Sequence, residues 1–337
     1  MPATHFICPD GNCCPIQECL NKCRMQQRCM ARPAIIAIAS KAGDRGLNQF
    51  SVTELLRGTR ESYLMKLYNY PVDPQSLMLS TTGTALHDFN ERAVDGETWL
   101  ITEKRYHNSI ASGQIDTYGY IMNDNELAIC DYKLTTSYKI AKALGYGTTK
   151  IATGEVYKSG LKKGQPKYKN EWTDQNIHRR MDWALQQNFY RLLLEEQGYK
   201  VDAMYIQAYA RDFSQSSQSR SGITHPQYVI QLNKISDHWL KIWFNGKKQR
   251  LENALQENTL PPLCSPKETW NGLKCEKFCN VSHLCKMFQQ QEEAEKAKQP
   301  ICAYPPCPNS STTGILMPER KSKYGNHKYA NTEPKSA

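Results

Sequence analysis

Asp116 and Asp131, with Lys133 two residues beyond the second acid, offer two carboxylates and an ammonium group on neighbouring segments of the chain. Asp116 closes the run Gly113-Gln114-Ile115-Asp116, and Asp131 and Lys133 sit in Ile129-Cys130-Asp131-Tyr132-Lys133. Both acids follow apolar residues in segments that read as strands, and Asn123-Asp124-Asn125 reads as the turn between them. An antiparallel hairpin brings the two acids together at one sheet edge. The two-residue spacing turns Asp131 and Lys133 to the same face. Paired carboxylates hold a hard divalent cation, Mg²⁺ or Mn²⁺, through oxygen. A cation so held polarises a phosphate and lowers the pKa of a bound water. Lys133 would orient that water or stabilise the developing negative charge. The chemistry expected is metal-assisted phosphodiester hydrolysis. An Asp-x-Lys pair alone is commonly a surface ion pair; the facing Asp116 and the apolar surroundings set this one apart.

The thirteen cysteines form a second signal, because six lie in the first 29 residues and six after position 260. The C-terminal set is Cys264-x10-Cys275-x3-Cys279-x5-Cys285, and the N-terminal set is Cys14-x4-Cys19-x3-Cys23-x5-Cys29 with Cys8 and Cys13 nearby. Thiolates so spaced wrap one soft centre, either Zn²⁺ or an iron–sulfur cluster. The N-terminal set is therefore a second zinc candidate. Cys302 and Cys307, among prolines, are read as non-ligands, and Cys130 as a core residue. No apolar run approaches a bilayer span, the longest being Ala34 to Ala39, and the first residues lack the apolar core of a secretion signal. The expectation is a soluble, cytoplasmic protein with no membrane partner, where metal ligation is the better reading of clustered cysteines.

Net charge is +10, and residues 139–180 carry ten Lys or Arg against three acids. Lys158, Lys162, Lys163, Lys167 and Lys169 there alternate with Tyr146, Tyr157, Tyr168 and Trp172. Basic groups follow a phosphate backbone while aromatic rings stack on exposed bases, so DNA is the expected partner.

The elements that must position these residues read as an alternation. Ser51-Val52-Thr53-Glu54 is a capping box opening an amphipathic stretch to Tyr68, which Pro71 and Pro74 break. A helix is expected from Thr84 to Val94, then strands at Thr98–Tyr106, Ile110–Ile121 and Glu126–Leu134. A helix from Asp174 to Gly198 carries Ile177, Met181, Leu185, Phe189, Leu192 and Leu193 at helical spacing. Strands at Val201–Arg211 and Gln227–Leu232 and a helix from Ser236 to Glu257 complete the core. The fold class is α/β, a mixed central sheet flanked by helices.

With those residues in view, the chain resembles the PD-(D/E)XK nucleases. Gly113-x-Ile-Asp116 followed by Asp131-Tyr-Lys133 is similar to their acidic and D/E-x-K motifs. Three further stretches resemble the RecB-like exonuclease branch: Gly83-Thr84-Ala85-Leu86-His87 with Glu91, Gln186-x-x-x-Tyr190, and the opening helix from Ser51 to Leu64. Together they cover residues 51–211 in order, with Ile115 in place of the nominal proline. The resemblance implies a restriction-endonuclease-like core in which His87, Asp116, Asp131 and the Tyr132 carbonyl ligate the metal. It implies that Lys133 is catalytic and that Gln186 and Tyr190 contact DNA or support the site. Glu103 is a weaker extra candidate on the first strand, where it can equally face solvent. Some RecB-like nucleases, CRISPR-associated ones included, carry a [4Fe–4S] cluster after the core. They take one ligand from before it, and their last three cysteines are spaced more tightly than the x3 found here, which keeps zinc open.

The organisation expected is a cysteine-rich module at 1–33, a nuclease core at 48–257 with a basic insertion at 139–180, a second cysteine module at 263–288, and a disordered polar tail at 289–337. The function expected is a Mg²⁺- or Mn²⁺-dependent deoxyribonuclease, an exonuclease of recombination, repair or phage DNA metabolism. The alternatives are an inactive zinc-containing nucleic-acid-binding protein and a site-specific endonuclease on the same core.

Overall fold

The computed structural model describes residues 3–25, 27–40, 47, 49–94, 96, 97, 99–175 and 180–298. In chain order the first half holds β1 (Ala3–Ile7), β2 (Cys13–Pro15), α1 (Ile16–Asn21), α2 (Arg32–Ala39), α3 (Val52–Leu55), α4 (Thr59–Leu67), β3 (Tyr70–Val72), α5 (Pro74–Ala93), β4 (Ile101–His107), β5 (Ser112–Gly119) and β6 (Ala128–Thr135). Then come α6 (Ser137–Leu144), β7 (Tyr146–Val156), β8 (Pro166–Asp174), α7 (Met181–Glu195), β9 (Ala203–Ala210), α8 (Gln215–Ser221), β10 (Gln227–Gln231), α9 (Asp237–Gln256), α10 (Leu273–Lys277) and α11 (Ser282–Lys298).

Contacts divide the chain into two compact units. One gathers Met1–Asp44, Tyr63–Asp73 and Cys264–Ala337; the other gathers Arg45–Ser62 and Pro74–Leu263. The two cysteine-rich ends, read from the sequence as separate modules, thus fall in one unit. Its sheet has the order β2-β1-β3, with β1 antiparallel to β2 and parallel to β3.

The larger unit is built on a five-stranded mixed sheet, order β10-β9-β6-β5-β4. All its pairs are antiparallel except β6 with β9, which run parallel in register from Ala128↔Ala203 to Thr135↔Ala210. β6 is the central strand, and its apolar opening Ala128-Ile129-Cys130 is fully buried, as a strand covered on both faces requires. α7 is buried nearly all round, from Trp183 to Leu194, which places it in the core rather than on the surface. Gly113 makes its approach to β5 feasible: a Cβ there would stand 2.4 Å from the Tyr190 ring. α5 contacts β4 and β6 from its own side.

Several boundaries differ from the sequence reading, each for a local reason. The capping box forms, Ser51 accepting from the Glu54 amide, but α3 is four residues long and Gly58 separates it from α4. Pro74 does not end a helix; it occupies the first turn of α5, where a missing N–H costs nothing, so α5 starts ten residues before the expected Thr84. Asp174 belongs to β8, and α7 begins at Met181; Ile177 lies outside the described residues. The basic insertion is a helix, α6, followed by the β7–β8 hairpin, a two-stranded sheet of its own. The polar tail does not begin at 289, since α11 continues to Lys298; Cys302 and Cys307 lie outside the described residues. No described helix is long and apolar enough to cross a membrane.

Candidate active site

Strand register builds the site. β4 pairs with β5 through Thr102↔Thr117 and Lys104↔Ile115, and β5 pairs with β6 through Thr117↔Cys130. Continuing each register by one residue sets Glu103 opposite Asp116, and Asp116 opposite Asp131. Three carboxylates thus occupy one row across three neighbouring strands. The β4–β5 ladder skips this row and the β5–β6 ladder ends just before it, and Glu103 sits at φ 47°, a backbone region that costs a non-glycine residue energy and clusters at functional sites. The Tyr132 amide, freed from the ladder, donates to Asp116 Oδ2 at 2.9 Å.

His87 comes down on this row from α5. Its Nδ1 lies 3.0 Å from Glu103 Oε1 and 3.4 Å from Asp116 Oδ2, and its Nε2 lies 3.3 Å from the Tyr132 carbonyl oxygen. Glu103 is further held by the Gln114 amide at 2.6 Å, and Gln114 accepts from Arg105 at 2.8 Å. Glu103, which on sequence grounds could have faced solvent, is a member of the site. On the other flank Lys133 Nζ forms an ion pair with Asp131 Oδ2 at 2.5 Å. Gln186 on α7 ties the pieces together. Its amide donates to Asp131 Oδ1 and to the Tyr190 hydroxyl, both at 3.0 Å, and its carbonyl accepts from Lys133 at 3.3 Å. Gln186 and Tyr190 are buried, so the structure gives them a supporting place behind the acids.

The electrostatics follow from crowding. Burial, with the charge of Asp131 added, pushes the Asp116 carboxyl far above the usual carboxylate range; His87, Lys133 and the Tyr132 amide oppose that rise without cancelling it. Burial alone would lower the His87 pKa. The bond to Glu103 and the charges of Asp116, Glu103 and Asp131 outweigh it and raise the imidazole to about 8. Both ring nitrogens face acceptors, which is the arrangement of a protonated ring.

The residues present fit a hard divalent cation. Asp131 Oδ2 is buried and faces only the Lys133 ammonium, leaving lone-pair capacity that a cation could use. His87, Glu103 and Asp116 bring ligand atoms within 4.8 Å of one another. Cis ligands around an octahedral Mg²⁺ with bonds of ~2.1 Å lie about 3 Å apart, close to the His87–Tyr132 separation. The cavity over the row measures about 400 Å³ and is walled by Ser51, Thr84, His87, Glu103, Arg105 and Asp116 among others.

The remaining predicted residues are not members of this row. Lys158, Lys162, Lys163 and Lys169 are exposed on the β7–β8 hairpin and Lys167 is half-buried; Lys162 and Lys167 cover the Tyr157 ring. Cys264, Cys275, Cys279 and Cys285 are half-buried around α10 and α11, while Cys130 is a core residue.

No family model and no curated protein matches the chain. Among solved structures it is similar to one described only as the crystal structure of SSO0001, at 13% identity and a TM-score of 0.39, covering 77% of this chain and 98% of that one.

Proposed function

We propose that the chain is a metal-dependent nuclease of the PD-(D/E)XK type, hydrolysing phosphodiester bonds in DNA. The observation that supports this most is the row Glu103–Asp116–Asp131 with His87 at one end and Lys133 at the other. His87 Nε2, Asp116, Asp131 Oδ2 and the Tyr132 carbonyl would hold Mg²⁺ or Mn²⁺, with Glu103 either beside them or as the group that fixes the His87 ring. When bound, the cation supplies charge to the scissile phosphate and acidity to a water. Asp116 and His87 would have to lose their protons for it to bind. Lys133, anchored by Gln186, stands where it can orient the attacking water and neutralise the phosphorane-like charge. The lysine-rich β7–β8 hairpin would track the DNA backbone.

The C-terminal cysteines Cys264, Cys275, Cys279 and Cys285 would, by their spacing in the sequence, hold one further centre, a [4Fe–4S] cluster in this reading. Anaerobically purified protein should then be brown and bleach with dithionite. Zinc would leave it colourless.

The test of the activity is purified full-length chain with Mg²⁺ or Mn²⁺ on end-labelled single- and double-stranded DNA, linear and circular. Cleavage that needs the metal and disappears in Asp131→Ala and Lys133→Ala supports the reading. Cleavage of circles assigns an endonuclease. No metal-dependent cleavage of any of these, or unchanged cleavage in both variants, refutes it.

A further inference from the structure

The N-terminal cysteines take no part in the chemistry proposed above, yet the fold gathers them. β1 and β2 form a hairpin closed at Cys8: its amide donates to the Asn12 carbonyl and its carbonyl accepts from Gly11, both at 2.8 Å, with Gly11 at φ 78°. Such a knuckle holds a thiol at a tight turn. α1, beginning directly after β2, carries Cys19, which is buried.

Two arginines then clasp the following loop. Arg28 donates to the carbonyls of Cys19 at 2.6 Å and Leu20 at 3.3 Å, fastening the loop to the open end of α1. Arg24 pairs with Asp10 at 2.9 Å, fastening it to the hairpin tip. Cys23 and Cys29 flank these two arginines in sequence, so the clasps bring both cysteines towards Cys8 and Cys19. Burial raises the Cys19 thiol, and the charges of Cys23, Cys8 and Cys29 add to that rise; Cys8 and Cys19 act on Cys14 in the same way, so packing rather than electrostatics must tell Cys14 apart.

Cys14 has a different place. It pairs with Phe6 in the β1–β2 ladder, both residues are buried, and its thiol donates to the Pro15 carbonyl. It packs as a small core residue although its spacing in the sequence puts it in the ligand set.

We propose that Cys8, Cys19, Cys23 and Cys29 form a structural Zn²⁺ site that staples the N-terminal segment, with Cys14 outside it. The chemistry suits zinc. Four thiolates on Zn²⁺ carry a net charge of about −2, and Arg24 and Arg28 stand beside them to offset it. The need is physical as well. The local strands are three and five residues long and α1 is six, too little regular structure to hold without a staple. Among the described residues only the His87 group brings three ligand atoms within 4.8 Å. The four sulfurs therefore stand farther apart than a tetrahedral site needs; the charge of the cation, on taking the place of the thiol protons, would have to draw them to ~3.8 Å spacing.

The test uses the full chain loaded with Zn²⁺ alone. Iodoacetamide labelling is mapped by mass spectrometry before and after a strong chelator. Cys8, Cys19, Cys23 and Cys29 should be protected together and exposed together on chelation, while Cys13 labels throughout. In elemental analysis Cys8→Ser should lose one zinc per chain and Cys14→Ser none. The proposal is overturned if Cys8 labels at the rate of Cys13 in loaded protein, or if Cys14 is released in step with the other three and Cys14→Ser loses the zinc. Wild-type protein with no zinc-dependent protection of these thiols overturns it equally, whatever the nuclease activity.

Discussion

The β5–β6 hairpin pairs from Gly119↔Ala128 only as far as Thr117↔Cys130 before Asp116 and Asp131 part its strands, whereas β7–β8 keeps its register unbroken from Tyr146↔Asp174 to Ala152↔Tyr168. The first is buried and carries acids; the second is exposed along most of its length and carries lysines. Each has charges that water would stabilise, but in the buried one the acids are largely withdrawn from it. There crowding shifts protonation, and Glu103 stands in a backbone region unusual for its residue type. On β7–β8 the same kinds of groups stay solvated and can act only through long-range attraction. Burial, more than residue type or secondary structure, separates a row of acids with shifted protonation from a hairpin whose charges stay in water.

That contrast can be broken most directly at the acids. Asp131→Ala or Lys133→Ala should lower metal-dependent cleavage by at least about 10³-fold while DNA affinity holds. Comparable losses of cleavage and binding in both variants would erase the division of labour. On the other hairpin, neutralising Lys158, Lys162, Lys163, Lys167 and Lys169 together should weaken binding by roughly 10²-fold at moderate salt. The slope of log affinity against log salt should flatten by up to about 4, with single-turnover cleavage of saturated complex little changed. An unchanged slope puts the DNA path elsewhere. Gln186→Ala tests the support behind the acids and should cost about 10- to 100-fold in cleavage. Its loss should be partly relieved by Gln186→Glu, which keeps an acceptor for Lys133.

The smallest effect concerns stability in metal-free protein. The Asp116 pKa is raised in the folded state, so the folded chain keeps a proton there that the unfolded chain releases. Stability from this group is therefore present at pH below about 4 and is lost as pH rises towards neutrality and beyond. Asp116→Asn should then be more stable than the parent at pH 8 without metal, by on the order of 1 kcal/mol or more, with the gap closing near pH 4. Chemical denaturation at the two pH values measures it. Equal stability at both would mean the acid row is not under strain.

The Asp116–Asp131–Lys133 grouping was legible because it is local: two apolar runs, a turn and period-two alternation fix which side chains meet. His87 and Gln186 were legible only through family resemblance, since nothing in an amphipathic helix says which polar residue turns inward. Glu103 was within reach. The short connection between β4 and β5, closed by Asn108 accepting from the Ile110 and Ala111 amides, sets a register that puts Glu103 opposite Asp116. The sequence reading started the first strand three residues early and did not count across it. Pro74 misled for the opposite reason, since a proline reads as a stop until its place in the first turn is known. The joining of the two cysteine-rich ends in one unit depends on contacts hundreds of residues apart, which no local pattern carries.

The eight-pair parallel register of β6 with β9 has a consequence in time. β6 carries Asp131 and Lys133, yet one of its two edges is closed only by residues 203–210, and Gln186 arrives only with α7. During synthesis at ~5–20 residues per second the acids emerge several seconds before those partners, and long-range parallel pairing is slow to form even then. A nascent chain therefore exposes its acids in water, separately charged and unarmed. The row meets Gln186 and gains its β9 edge only after the later segments have left the ribosome.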